Sequence, residues 1–422
     1  MRVCWLAGRR RVTISIVERI AAERVIVARG VREDARAAAR LEAMLANVDA
    51  ERVDWLDDAD FERALATLGP REGRPRAGLE GRGRPKAVVA FGTFSGDELS
   101  PVFPGYSWRE KRDGRRQRDE HGALCHTAIE VQSVVGCPFD CAYCPYTSFV
   151  CVRLDVERFV DRVTRLVRAR PNQTLWKLNN RSDTLGLEPE YGLARALVLR
   201  FAELGGPTLM LYSKGDEVAH LEGLEHRGRT VASFTVTPDR VASLLEQGAP
   251  EPGRRIAALG ALHRAGYPTR VRFSPIVPLA GWRDDYDALV RRVAAAGAPE
   301  LVTLWTLSMI DAAELPHVVP ASTLDRDMLA RAEAARDTMR DAKGAPFPPD
   351  ARAEIYASII ASVRRHLPQT RVSLCLEAPE VWDRLGDDLP PRRRGAFLCN
   401  CGPRATPEAV RLVQLRPRAR SA

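Results

Sequence analysis

Three cysteines stand close together in this 422-residue chain, in the run Gly136-Cys137-Pro138-Phe139-Asp140-Cys141-Ala142-Tyr143-Cys144-Pro145-Tyr146. Their C-x3-C-x2-C spacing lets one short loop wrap three corners of an iron–sulfur cubane, each thiolate taking one iron. The fourth iron then has no protein ligand nearby, and an open position on a redox cluster is a place for a cofactor or substrate. The competing chemistry is structural zinc, which would make the chain a non-enzymatic zinc-binding module. Zinc normally takes four ligands, commonly as two separated pairs, and here Cys125, His126 or Cys151 would have to supply the fourth. A second group, Cys375, Cys399 and Cys401, lies toward the C-terminus, where Gly402 permits tight backbone curvature. It is a candidate auxiliary cluster or metal site, completed by Cys125, Cys151 or substrate. A hydrogen-donating thiol and incidental buried cysteines are the alternatives.

Strand–helix alternation becomes regular from about Thr127 and must position the first cysteine group. Strands are expected at Ile129–Val135, Thr174–Leu178, Thr208–Tyr212, Val231–Val236, Arg270–Phe273 and Leu301–Leu307. Between them fall helical patterns at Val156–Ala169, Glu190–Leu204, Val218–Leu224, Arg254–Ala265 and Asp284–Ala296. Such alternation requires parallel strands with crossover helices. Six units suit an α/β fold, a partial (β/α)6 TIM-like barrel, with its site at the C-terminal strand ends. The cysteine loop, following the first strand, would open there.

Three regions follow. Residues 1–120 form an accessory region, a small α/β unit with a helix expected at Glu33–Leu45 and an exposed linker, Gly69–Lys86, dense in Gly, Pro and Arg. Residues 121–320 form the barrel. Residues 321–422 form a C-terminal extension, with helices near Arg326–Met339 and Arg352–Arg365, a strand at Val372–Leu374 and the cysteine-bearing tail.

Composition narrows the setting. No run approaches the roughly 20 apolar residues that cross a bilayer, and the apolar run in Met1–Arg9 is too short for a secretory signal. A cytoplasmic protein with no membrane segment is expected. In that reducing setting nine cysteines bind metal more readily than they cross-link. The formal charge of +9 admits a nucleic-acid partner, but only five of the 64 basic residues are Lys. A skew that strong toward Arg also arises from a GC-rich coding sequence. The charged stretch Arg109–Glu120 reads as a solvated loop or a nucleic-acid contact.

The cysteine loop, with Tyr143 before its last Cys and a six-unit array behind it, is similar to the motif of the radical S-adenosylmethionine (SAM) superfamily. From about residue 127 to 310, the order of Asn179–Pro189, Tyr212-Ser213-Lys214, Ser233–Thr237, Gly248–Ile256 and Phe273-Ser274-Pro275-Ile276 resembles the spore photoproduct lyase family within it. The resemblance implies a radical SAM barrel whose [4Fe–4S] cluster is held by Cys137, Cys141 and Cys144 and whose open iron chelates SAM. It implies reductive cleavage of SAM to a 5′-deoxyadenosyl radical, fed by an external flavodoxin- or ferredoxin-type donor. It assigns Ser182, Lys214, Thr235 and Tyr143 to the cofactor. The chain departs from the family at two positions. Asn180 stands where the lyases carry a hydrogen-donating Cys, and Pro145 stands where they carry a relay Tyr, with Tyr146 one step later; Tyr146 and Asn180 are the candidate catalytic positions. The expected function is a radical SAM, lyase-like enzyme acting on a DNA or nucleotide lesion. Modification of a peptide or small metabolite is the alternative.

Overall fold

The computed structural model describes residues 19–68, 78–81, 83–94, 96, 106–109, 128–386, 389, 399–402, 405–408 and 410. Cys4, Cys125, His126, nearly all of the Arg109–Glu120 stretch and much of the Gly69–Lys86 linker lie outside these residues.

The N-terminal strands are β1 (Ile20–Ala22), β2 (Val25–Ala28), β3 (Val48–Ala50), β4 (Val53–Leu56) and β5 (Val88–Gly92). The first helix runs Ala35–Leu45, where the Asp34 carboxylate caps it by accepting from Arg36 N and Ala37 N at 2.8 and 3.2 Å. Next come β6 (Tyr106–Arg109), β7 (Ala128–Val131), β8 (Val134–Gly136), β9 (Asp140–Cys141) and β10 (Phe149–Arg153). The remaining strands are β11 (Leu175–Leu178), β12 (Thr208–Ser213), β13 (Thr230–Val236), β14 (Glu246–Gln247), β15 (Thr269–Ile276), β16 (Leu301–Thr306) and β17 (Arg371–Leu374).

Two large sheets result. The barrel sheet has the order β17-β16-β15-β13-β12-β11-β7-β6, parallel throughout except for β6 on its edge. The N-terminal sheet has the order β4-β2-β5-β10-β8, with only β8 antiparallel. The α/β partial barrel of the sequence reading is therefore present, and β17, from the C-terminal extension, adds a further parallel strand to it. Helices cover the outside. Val156–Arg168 buries Val156, Phe159, Val160, Val163 and Val167, the one-face spacing of an amphipathic helix. Each such side chain contributes about 1.5–3 kcal/mol on burial. Along β13, Ala232, Phe234 and Val236 join this outer core, whereas Val231 turns inward onto Leu175 and Met210. Ser233 and Thr235 thus face the lumen.

Several elements differ from expectation. The strand expected at Ile129–Val135 divides at Gln132-Ser133, with β7 in one sheet and β8 in the other. Asn179, at a φ of 46°, causes the break: its side-chain carbonyl accepts from Ser133 N and Val134 N at 2.9 and 3.3 Å. Turns, not a helix, occupy Val218–Leu224. Cys151, considered as a fourth metal ligand, lies in the middle of β10, fully buried, with its thiol pushed up to about 12 by burial. Lys86, at the end of the expected exposed linker, is 2% exposed.

Glu188 is also buried, accepting from Gly192 N and Ala194 N, both at 2.9 Å, at the start of the helix Leu193–Leu204. Burial raises its carboxyl to about 7, against which those backbone donors act. A folded-state value above the unfolded one means that protonated Glu188 is fully tolerated at low pH and that stability is lost as pH rises from about 4.5 through about 7. Relative to Glu188→Gln, the wild-type protein is expected to lose up to about 3 kcal/mol across that window, measured by urea unfolding at pH 4.5 and pH 8. A constant difference at the two pH values would refute this.

Candidate active site

The cysteine loop spans residues 137–148, between β8 and β10. Gly136 starts it at a φ of +84°, and a Cβ there would lie 1.6 Å from Phe149 O, so only glycine fits. Gly136 N donates to Arg181 O at 3.0 Å, and Cys137 N to Tyr146 O at 3.0 Å, closing the loop on itself. Within it, β9 pairs antiparallel with β14, setting Cys141 opposite Glu246. Gly186 packs against it from the β11–β12 connection: a Cβ there would come within 2.8 Å of Pro138 and 3.1 Å of Phe139.

Lys86 pins the loop from the N-terminal unit. Its ammonium donates to Thr147 O at 2.6 Å, to Phe139 O at 3.2 Å and to the Asp140 carboxylate. Nothing local in the sequence marks this residue, because its partners lie more than 50 positions away.

The three thiols are neighbours, with Cys141 buried and Cys137 and Cys144 partly exposed. Burial, then Asp183, Cys144 and Cys141, raise Cys137 well above the usual thiol range. Burial and then Cys141 push Cys144 up to about 11, while Lys214 partly offsets the burial of Cys141. Thiols held in this way ionise readily only when a metal cation sits among them. Among the described residues no three His, Cys, Asp or Glu converge closely enough to hold a single metal ion. Three thiols on one loop match the three protein-held corners of a cubane, whereas structural zinc takes four ligands.

Beside Cys141 lies a buried charge network. Lys214, just beyond β12, sends its ammonium to Glu246 at 3.0 Å, to Cys141 Sγ at 3.5 Å and to the Tyr143 hydroxyl. Glu246 also accepts from Tyr143 Oη at 2.6 Å, from Thr237 Oγ1 at 3.0 Å and from Arg255 Nη1 at 2.6 Å. Burial alone would raise the Glu246 carboxyl, but Arg255 and Lys214 hold it well below the carboxylate range. Asp183 orders the neighbouring turn, accepting from Lys214 N at 2.6 Å, Leu185 N at 3.1 Å and the Ser213 hydroxyl. Glu246, Arg255, Asp183 and Lys86 were not singled out as site residues from sequence, since acids and bases in such runs resemble solvated surface.

The other expected residues fall as follows. Ser182 has a buried hydroxyl oxygen without a partner. Thr235 faces the lumen, 4% exposed. Tyr146 is tied to the loop through its carbonyl. Asn180 accepts from the Lys177 ammonium, and that ammonium lies 3.8 Å from Glu130 and 4.8 Å from the centre of the Tyr212 ring. The C-terminal thiols do not gather. Cys375 follows β17 at the C-terminal strand ends, where Arg272 Nη2 reaches its sulfur at 3.7 Å. Cys401 packs instead with Leu175, Met210, Val231 and Ala405 at the barrel floor, hydrogen-bonded to Cys399. Among the described residues no group of three metal-binding side chains forms around them.

A parallel partial barrel with a three-cysteine loop facing its C-terminal strand ends is similar to the architecture of radical SAM proteins. Residues 126–313 match the family model for spore photoproduct lyase. Over 168 residues the chain is 26% identical to the spore photoproduct lyase of Bacillus subtilis (strain 168), a match covering 38% of this chain and 49% of that protein. The chain thus aligns with about half the length of that curated relative. Among solved structures, spore photoproduct lyase complexed with dinucleoside spore photoproduct superposes at a TM-score of 0.60 with 14% identity, covering 84% of this chain and 99% of that one. A double mutant of spore photoproduct lyase with bound AdoMet and the same dinucleoside gives 0.57 and 15%, covering 84% and 98%. Residues 126–313 are thus spore photoproduct lyase-like, and the fold around them is shared with those solved structures.

The Lys86 contacts yield a test. Lys86→Met strands the partly buried Asp140 carboxylate and two carbonyls, and is expected to cost on the order of 3 kcal/mol and to lower iron retained per chain after anaerobic reconstitution. Adding Asp140→Asn should recover part of that stability. Equal iron content in wild type and Lys86→Met would show that the clamp does not hold the loop.

Proposed function

We propose that this chain is a radical SAM enzyme, lyase-like, that acts on a DNA or nucleotide lesion, with Cys137, Cys141 and Cys144 as the ligands of a [4Fe–4S] cluster. The observation that carries this reading is the Lys214 ammonium, held by buried Glu246 and set 3.5 Å from Cys141 at the C-terminal strand ends. Held by Cys137, Cys141 and Cys144 and reduced by an external flavodoxin- or ferredoxin-type donor, the cluster would supply the electron for reductive cleavage of SAM to methionine and a 5′-deoxyadenosyl radical. The residues of the chain bind and orient. Lys214 offers a positive charge to the SAM carboxylate, and the unpartnered Ser182 hydroxyl offers a further donor or acceptor. Thr235 lines the lumen wall beside them, and the Tyr143 ring lies 4.8 Å below the Lys214 ammonium. Cys141 and Glu246 are buried, which limits water at this side of the site.

Asn180 supports a second reading. An amide has no weak S–H bond, so this position cannot return a hydrogen atom to a product radical. Its carbonyl is instead engaged by Lys177. A substrate other than the spore photoproduct is therefore favoured, and a peptide or small metabolite is the alternative class.

Anaerobic reconstitution with dithionite and SAM is expected to yield 5′-deoxyadenosine, read by mass spectrometry, with turnover stimulated by lesion-bearing oligonucleotides. Lys214→Met should weaken SAM binding on the order of tenfold or more while iron content stays near that of wild type. Protein that contains zinc but neither iron nor sulfide would end the enzyme reading. Stimulation by peptides and not by oligonucleotides would move it to the alternative class.

A further inference from the structure

Arg272 lies on β15, turned into the barrel lumen and 5% exposed. Its guanidinium sits 4.6 Å from the centre of the Tyr212 ring and 5.6 Å from that of Trp305. One terminal nitrogen reaches the Cys375 sulfur at 3.7 Å, and the buried Nε has no hydrogen-bond partner. Among the described residues no carboxylate lies within ion-pair distance of it. The other buried lumen arginine, Arg270, differs: it is paired with Glu300 at 2.7 Å and donates to Asn400 O at 2.5 Å. Lys177, on the same Tyr212 ring, has Glu130 at 3.8 Å. A buried cation held only by two rings and a thiol is costly unless an anion completes it. Tyr212, Trp305 and Cys375 are each only partly buried, so the lumen is open at this level.

We propose that Arg272 is the receptor for a substrate oxyanion, a phosphodiester, bound in the lumen between Tyr212 and Trp305. This rests on the nucleotide reading of the site and deepens it. The guanidinium fork matches two oxygens of one phosphate, and the half-exposed rings offer flat apolar surface to an adjoining base. Carboxylate shares the oxyanion chemistry but brings no base to the rings. Lys214 and Ser182 serve the cofactor at the ends of other strands, which leaves Arg272 for the substrate.

The test uses the anaerobically reconstituted full chain, saturated with SAM and titrated calorimetrically with thymidylyl dinucleotide, inorganic phosphate and acetylglutamate in parallel. The dinucleotide is expected to bind, more weakly with added salt, and Arg272→Gln should weaken it at least tenfold, with Arg272→Lys in between. Because the variant removes an unpaired buried charge, its ligand-free melting temperature should equal or exceed that of wild type, while the dinucleotide-induced rise in melting temperature is lost. Unchanged dinucleotide binding by Arg272→Gln overturns the proposal, as does a lowered ligand-free melting temperature with binding retained, the mark of a purely structural arginine. Binding of acetylglutamate alone also overturns it, as does binding that SAM abolishes, since the anion would then be a carboxylate or the cofactor's own. A failure of the radical reading shows separately, as absence of 5′-deoxyadenosine from the wild-type preparation, and leaves these isotherms to be judged independently.

Discussion

A buried carboxylate organises this molecule's site. Glu246 sits in β14, opposite Cys141, and accepts from an arginine, a lysine, a tyrosine and a threonine that come from four different segments. Few groups could hold so many donors in a water-free place; a neutral residue would leave Arg255 and Lys214 as uncompensated buried cations. The ammonium that faces the cluster loop is thus positioned by an acid that itself never meets solvent. Asp183 repeats the device one strand away, with backbone amides as its donors.

Much of the barrel was legible in sequence because its strands and helices announce themselves by period. The segments that became β11, β12, β13, β15 and β16 lay where strand-like runs alternate with amphipathic ones. β10 was not legible: Phe149–Arg153 is buried on both faces, so it lacks alternation and reads as part of the cysteine loop. β17 was seen as a strand, but its partner β16 lies about 70 residues upstream, and no local pattern encodes that pairing.

The site was legible unevenly. Cysteine spacing is a local property and survives in the fold. Cys375 lies beside Arg272, whereas Cys401 packs with Leu175 and Met210, and proximity along the chain carries no information on how such thiols are arranged in the barrel. Lys86 carried no signal, and Glu246 figured only in the family resemblance with no role attached, since a residue acquires its burial only from what packs over it.

The way in which the two sheets share the cysteine loop has a consequence for dissecting the protein. Both strands that flank the loop, β8 and β10, hydrogen-bond within the N-terminal sheet and not within the barrel. Excising the first hundred residues would strip β5 from β10 and leave a bare strand edge, apolar from Phe149 to Val152, beside the thiols. An isolated barrel would therefore be prone to stick to itself through the very strands that carry its reactive centre. The N-terminal unit thus covers the edge of the strands that flank the cysteine loop.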